Sequence, residues 1–128
     1  MAVKPEQLHA LAETQSRQRG EAWRRSAISR AYYASFHFCA EWERRLPRKG
    51  KSGKSTFGVH QRLIERLGSP DGACSLNQQA RSKELGNLLR KQKERRVKAD
   101  YRLPSSVRAE ELEEQMEDVR QVFRVCAS

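Results

Sequence analysis

Apolar residues recur along the chain at the spacing of amphipathic helices. Pro5 suits the first turn of a helix, and Leu8, Leu11 and Ala12 follow it on one side of that helix. A polar run then interrupts the pattern. These positions predict a first helix at about 5–18.

The segment from about 21 to 46 carries apolar residues on two adjacent faces. One register consists of Ile28, Tyr32, Ser35, Cys39, Trp42 and Leu46, and the other of Trp23, Ala27, Ala31, Ala34 and Phe38. A helix that is apolar around so much of its circumference is buried on several sides. We therefore expect this helix at the centre of the fold, with its alanines allowing a neighbouring helix to approach closely.

A third helix follows a long polar loop. Its apolar positions are Val59, Leu63 and Leu67. Ser55 or Thr56 is the predicted N-cap, because a hydroxyl there can accept a hydrogen bond from the first turn. The Gly- and Pro-containing run at 68–72 ends the helix.

Two more helices complete the chain. Leu85, Leu88 and Leu89 anchor a fourth helix from about 76 to 100, and Pro104 predicts its end nearby. Ser105 or Ser106 is the predicted N-cap of the fifth. The apolar stripe of the fifth helix is Leu112, Met116, Val119, Phe123 and Cys126.

No segment alternates polar and apolar residues with period two, so the predicted fold class is all-α. At 128 residues the chain is long enough for one hydrophobic core. We therefore predict a single domain over 1–128, an up-and-down bundle of four or five helices.

Composition narrows the function classes. Lys and Arg number 26 against 16 Asp and Glu, and the formal net charge of +10 favours a polyanionic or acidic partner. The three cysteines form no CxxC pair and have no His at metal-ligand spacing. We expect no metal or other cofactor, and the absence of a signal-like or membrane-length apolar run predicts a cytoplasmic protein without a membrane partner.

Charge is concentrated in three segments. The stretches 44–54 and 90–98 are basic, and 110–118 is acidic. Each basic stretch is either a solvated face or a phosphate-contacting one. The acidic block complements the N-terminal dipole of the fifth helix and could also pair with the basic helix before it.

The sequence GKSGKST at 50–56 is similar to a phosphate-binding loop only at its end. The first glycine of that motif would stand at position 48, which is Arg48, and no apolar strand precedes the segment. Nucleotide hydrolysis is therefore not predicted here.

Two motifs carry a family resemblance. The segment RSAISRAYYASFH at 25–37 resembles the SRAYYAxFH signature in the second helix of HEPN proteins, and RVKADY at 96–101 resembles the RNxADY ending of that family's fourth helix. The separation of the motifs and the order of the helices also match. The resemblance implies a HEPN-like bundle that pairs as a homodimer, with an Arg from each subunit lining a shared cleft.

In active HEPN relatives the cleft cuts RNA without metal, using an Arg and a His four to six residues apart. His suits the proton transfers of such a reaction and Arg binds the phosphate bidentately. Arg96 occupies the Arg position here, but Tyr101 stands where the His usually lies, and Val97 replaces a common Asn. A phenol is a poor general base at neutral pH because its ordinary pKa is about 10. The resemblance thus makes Arg96 a phosphate contact, Asp100 its orienting partner and Tyr101 a weak catalytic group or a modification site.

The same residues also have structural interpretations. Arg96 and Asp100 are four apart, which fits an intrahelical ion pair. Arg96 also continues the buried stripe of the fourth helix, where a charge needs a partner or a ligand. Arg30, Tyr33 and His37 share a helix face, and all three are candidate RNA contacts. Arg30 and His37 are either polar groups beside the core or support the cleft, Arg30 on phosphate and His37 as the missing base.

The remaining basic and histidine residues complete the list of candidates. Arg95 and Lys98 are further predicted RNA-phosphate contacts beside Arg96. His9 and His60 do not belong to any cluster of acidic residues and cysteines with metal-ligand spacing, so both are interpreted as surface or capping residues.

Three functional hypotheses follow. The leading one is an RNA-binding, ribonuclease-like effector of a toxin–antitoxin or antiphage module. The second is a non-enzymatic interaction module, held or modified by a nucleotidyltransferase or another protein of the same defence module. The third is a sequence-independent nucleic-acid-binding subunit of a larger complex, suggested by the charge alone.

Overall fold

The computed structural model describes residues 3–53 and 58–128, and over these residues it contains five helices and no strand. The helices are α1 (Pro5–Ser16), α2 (Glu21–Glu43), α3 (Val59–Gly68), α4 (Leu76–Tyr101) and α5 (Ala109–Ala127). The predicted all-α class is confirmed. The predicted N-caps Ser55 and Thr56 lie outside the described residues.

Helix α2 packs against α1, α4 and α5. Side-chain contacts join Ser35 to Gln92 and Ser29 to Asp100, so α2 and α4 run antiparallel. Contacts of Arg95 with Asp118 and of Lys98 with Glu111 show that α5 is in turn antiparallel to α4. The long helices α2, α4 and α5 therefore alternate in direction, with α2 at the centre as its two apolar registers predict. The short helix α3 departs from the predicted up-and-down order, because contacts of Tyr32 with His60 and of Glu43 with Arg66 show that it runs parallel to α2.

Most of the predicted core of α2 is buried, with one exception. Ile28, Tyr32 and Cys39 are at most 1% exposed, and the three alanines of the second register are fully buried. Trp23, however, is 45% exposed in the first turn of α2, which begins only two residues before it. Three further predicted core residues also lie largely outside the core, namely Leu11, Val59 and Phe123.

Two helix ends differ from the prediction. Helix α2 ends at Glu43 rather than near 46, because Pro47 disfavours helical geometry at the residue before it. The predicted Ser105 and Ser106 caps of α5 are wrong. Arg108 occupies the N-cap position, and its backbone N–H donates to Glu111 Oε2 at 2.7 Å.

A buried polar network joins the three long helices in the core. Ser35 Oγ donates to Gln92 Oε1 at 2.7 Å, and both residues are fully buried. Gln115 Nε2 donates to the carbonyl of Ile28 at 3.1 Å and to that of Gln92 at 3.3 Å. Buried polar groups are costly unless they are paired, so these bonds fix how the helices align along their axes.

Helix α3 lies close to α4 at Gly86. A Cβ atom at that position would come within 3.1 Å of the Gly68 backbone nitrogen and 3.2 Å of Leu67 Cβ. Ser82 Oγ also donates to the Leu67 carbonyl at 2.7 Å. The absence of a side chain at Gly86 therefore lets α3 rest on α4 at this point.

We expect Gly86→Val to lower the free energy of unfolding by roughly 1–3 kcal/mol, as overpacking does, because the new methyls would meet the α3 backbone. Urea denaturation measures the change. Asn87→Val is the matched control, since Asn87 is exposed on the same helix turn and Asn and Val have similar helix propensities. Equal stability of the two variants would contradict the close approach at Gly86.

Candidate functional site around Arg96

The guanidinium of Arg96 lies among three tyrosine rings. Its central carbon is 5.2 Å from the ring centroid of Tyr33, 5.3 Å from that of Tyr101 and 5.8 Å from that of Tyr32. The Arg96 side chain is only 15% exposed. Aromatic faces attract a cation at such distances, so the rings help to hold the charge in a partly desolvated position.

Hydrogen bonds set the orientation of this guanidinium. Arg96 Nε donates to Asp100 Oδ2 at 2.9 Å, which confirms the intrahelical ion pair that the spacing predicts. Arg96 Nη2 donates to the Tyr33 hydroxyl at 2.7 Å and approaches that of Tyr101 at 3.3 Å. Ser29 Oγ donates to the same Asp100 oxygen at 3.1 Å, so a residue of α2 also fixes the carboxylate.

The environment keeps Arg96 charged. Burial disfavours the charged form, but the neighbouring phenol oxygens and the Asp100 carboxylate outweigh it and raise the pKa of the Arg96 guanidinium above its ordinary value. A permanent, oriented and partly desolvated guanidinium is suited to binding an oxyanion.

The structure adds His60 to this site, which contradicts its interpretation as a surface or capping residue. His60 Nδ1 lies 2.7 Å from the Tyr32 hydroxyl, and its ring centroid is 4.3 Å from that of Phe36 and 5.9 Å from that of Tyr33. Burial, together with the charges of Arg96 and of other nearby basic groups, lowers the pKa of His60. The sequence carries no signal for this placement, since the contact is between separate helices.

Arg30 and His37 flank the same aromatic group without joining its hydrogen bonds. The Arg30 guanidinium is 5.9 Å from the Tyr33 ring centroid, and the exposed His37 ring packs edge-on against Phe36 at 5.2 Å. Neither has a side-chain hydrogen bond to another residue of the described segments. Both are therefore at the margin of the Arg96 site.

Arg95 and Lys98 are held elsewhere, against the acidic block of α5. Arg95 Nη1 donates to Asp118 Oδ2 at 2.7 Å and to Gln115 Oε1 at 3.0 Å. Lys98 Nζ donates to Glu111 Oε1 at 2.6 Å. The expected pairing of the acidic block with α4 is confirmed, and these two basic residues stand apart from the Arg96 site.

A shallow cleft of about 530 Å³ runs along α4 beside the N-terminal turn of α3. It is lined by Gln61, Arg90, Lys93, Glu94, Val97 and Arg102. Lys93 Nζ donates to Gln61 Oε1 at 3.0 Å, and Arg90 pairs with Glu94. The cleft is thus lined by three basic side chains and one acidic one, next to the positions of His60 and Arg96.

The end of α4, which carries Asp100 and Tyr101, is held by Arg25 of α2. Arg25 Nη1 donates to the carbonyls of Lys98 at 3.2 Å, Ala99 at 2.9 Å and Arg102 at 3.4 Å. Its Nη2 reaches the carbonyls of Leu103 and Ser105. A cation at these carbonyls satisfies groups that a helix end leaves unpaired and complements the helix dipole.

No protein-family model, curated protein or solved structure matches the chain. Among the described residues there is no group of three or more His, Cys, Asp or Glu that could hold a metal ion. Within the same ranges, no helix is long and apolar enough to cross a membrane. The geometry around Arg96 is therefore the basis of the functional argument.

We expect Arg25→Ala to lower the free energy of unfolding by roughly 1.5–3 kcal/mol, the range for hydrogen bonds to charged groups. Amide hydrogen exchange at 99–105 should accelerate, because the carbonyls there lose their shared donor. Arg19→Ala is the control, since Arg19 is exposed in the loop before α2. Unchanged exchange at 99–105 in Arg25→Ala would show that Arg25 does not hold this helix end.

Proposed function

We propose that this chain is an RNA-binding, HEPN-like protein whose Arg96 contacts the phosphodiester backbone, acting as a metal-independent, ribonuclease-like effector of a toxin–antitoxin or antiphage module. The observation that carries the proposal is the half-buried Arg96 guanidinium, oriented by Asp100 and Tyr33. An arginine held in this way meets a phosphate without first losing side-chain freedom.

One edge of the guanidinium supports this role. Its Nε and Nη2 atoms donate within the protein, whereas Nη1 has no hydrogen-bond partner among residues 3–53 and 58–128. A phosphate oxygen that bonds to Nη1 would supply that partner and neutralise the charge. Asp100 and Tyr33 then act as positioning residues for the phosphate contact.

The surroundings of Arg96 favour RNA over other polyanions as the ligand. Tyr101 is 68% exposed beside the guanidinium, and an exposed aromatic ring can stack on an unpaired base. The neighbouring cleft carries Arg90, Lys93 and Arg102, which could follow the backbone on either side of the phosphate at Arg96. In the proposed homodimer the Arg96 sites of two copies would line one RNA-binding cleft.

Cleavage at this site would require two proton transfers and one charge stabilisation. The 2′-hydroxyl must lose a proton as it attacks phosphorus, the departing 5′-oxygen must gain one, and the charge on the phosphate must be stabilised. Arg96 suits the charge stabilisation, while Tyr101, which replaces the usual His, is a weak group for the proton transfers. The proposal therefore includes slow cleavage rather than efficient turnover.

The exposed Tyr101 also supports a second candidate function. A protein partner such as a nucleotidyltransferase could reach its hydroxyl, which lies 3.3 Å from Arg96 Nη2, and modification there would disturb the phosphate contact. As such a module the chain would leave RNA intact and form a stable complex with that partner. The net charge of +10 alone supports the weaker alternative of sequence-independent nucleic-acid binding.

The first test measures binding and cleavage of labelled cellular RNA in the presence of EDTA. We expect Arg96→Ala to weaken RNA binding at least tenfold and to abolish any cleavage, because a charge-assisted bond to phosphate is lost. Arg96→Lys should recover only part of the affinity, since an ammonium lacks the planar fork. Arg124→Ala is the matched control, since Arg124 is a half-exposed arginine of α5.

The outcomes separate the candidates. Equal RNA affinity of wild type and Arg96→Ala would contradict the proposed site. Equal affinity for RNA and for DNA of the same sequence, with a steep salt dependence, would favour the sequence-independent binder. Intact RNA at high protein concentration, with capture of a nucleotidyltransferase encoded beside this chain, would favour the interaction module.

A further inference from the structure

The imidazole of His60 is held in one orientation by a buried phenol. The Tyr32 side chain is fully buried, and its hydroxyl lies 2.7 Å from His60 Nδ1. The His60 ring also packs against Phe36, with a centroid separation of 4.3 Å. These contacts fix both the position of the ring and the direction of its Nδ1 atom.

The same contact selects the tautomer of His60. Burial raises the pKa of Tyr32, so its hydroxyl keeps its proton. His60 Nδ1 is the only hydrogen-bond partner of that hydroxyl in the described part of the chain, and a buried O–H group that does not donate is costly. Tyr32 therefore donates to Nδ1, and the neutral imidazole carries its proton on Nε2.

Arg96 and His60 adjoin the same pair of tyrosines. The Arg96 guanidinium carbon is 5.8 Å from the Tyr32 ring centroid and 5.2 Å from that of Tyr33. The ring centroid of His60 is 5.5 Å from that of Tyr32 and 5.9 Å from that of Tyr33. Neither Nη1 of Arg96 nor Nε2 of His60 has a hydrogen-bond partner in the described segments.

We propose that Arg96 Nη1–H and His60 Nε2–H form a two-point site for one phosphodiester group, with His60 as a neutral donor positioned by Tyr32. The inference rests on the proposed RNA-binding function and names a second contact for the same ligand. Two donors from different helices fix the orientation of the phosphate, which a single guanidinium would leave free to rotate.

Burial, followed by the charges of nearby basic groups, lowers the pKa of His60 and keeps the second donor neutral. Arg96 and Lys93 approach His60 from α4, and His37 approaches it from α2. Protonation of His60 would add a positive charge beside two permanent ones and would turn Nδ1 into a donor, which removes the acceptor of the Tyr32 hydroxyl. The neutral imidazole therefore persists to a pH below its ordinary pKa of 6.5.

The first measurement is the nitrogen-15 spectrum of the histidine side chains. We expect His60 to show a protonated Nε2 and an unprotonated Nδ1 at pH 7, with a titration midpoint below 6.5. Tyr32→Phe should raise that midpoint, because the hydrogen bond that stabilises neutral His60 is lost. A thermal unfolding curve of the Tyr32→Phe variant shows whether it folds. A proton on Nδ1 at pH 7 in the wild-type protein would overturn the proposal.

The second measurement compares RNA affinity in His60 variants at fixed salt. We expect His60→Leu to weaken binding about tenfold, the loss typical of one hydrogen bond to a charged group. His60→Gln should retain most of the affinity, since its amide can place an N–H group near Nε2. His9→Leu is the control, because His9 lies on α1 with Glu13 and Phe38, apart from the site.

The results distinguish this inference from the proposed function. If Arg96→Ala weakens RNA binding and His60→Leu does not, the two-point site is wrong and the Arg96 contact stands. If wild-type protein does not bind RNA, the proposed function fails and the two-point site fails with it. A tenfold loss in His60→Leu but not in His60→Gln supports the neutral donor.

Discussion

The antiparallel alignment of α2 with α4 is the constraint on which the candidate site depends. Four polar contacts follow one line between these helices: Ser35 with Gln92, Tyr33 with Arg96, Ser29 with Asp100, and Arg25 with the carbonyls at the end of α4. A shift of one residue along α2 would break all four at once. Because buried polar groups are costly when unpaired, these contacts select a single register where apolar packing alone would tolerate several.

The second constraint is the close approach of α3 to α4. Gly86 lets the C-terminal half of α3 rest on α4, and Ser82 ties the Leu67 carbonyl to the same helix. Since α3 is a short, rigid helix, this contact also determines where its first turn lies. His60, in that turn, thereby meets Tyr32 and Phe36 of α2 beside Arg96. A glycine about three turns before Arg96 on α4 is thus part of what assembles the site.

The sequence predicts those features that repeat with helical period. The number and approximate bounds of the helices, the buried faces of α2 and the Arg96–Asp100 pair all follow from spacing within one helix. The sequence does not predict contacts between helices. These contacts depend on how the helices align along their axes, and only packing determines that alignment. His60, Ser29 and Arg25 are therefore missed as site or positioning residues, and Trp23 is wrongly placed in the core.

Arg95 and Arg96 show how helical phase gives two adjacent arginines different roles. Successive residues of an α-helix point about 100° apart, so Arg95 meets the acidic residues of α5 while Arg96 meets the tyrosines of α2. The carboxylates Asp118 and Glu111 neutralise Arg95 and Lys98 locally, so these two basic side chains are engaged within the protein. Among the described residues Arg96 has one carboxylate partner, Asp100, which Ser29 also binds, and three tyrosine rings lie near its guanidinium. What distinguishes the surroundings of these two arginines is thus the helix that each one meets, and not the density of basic residues around it in sequence.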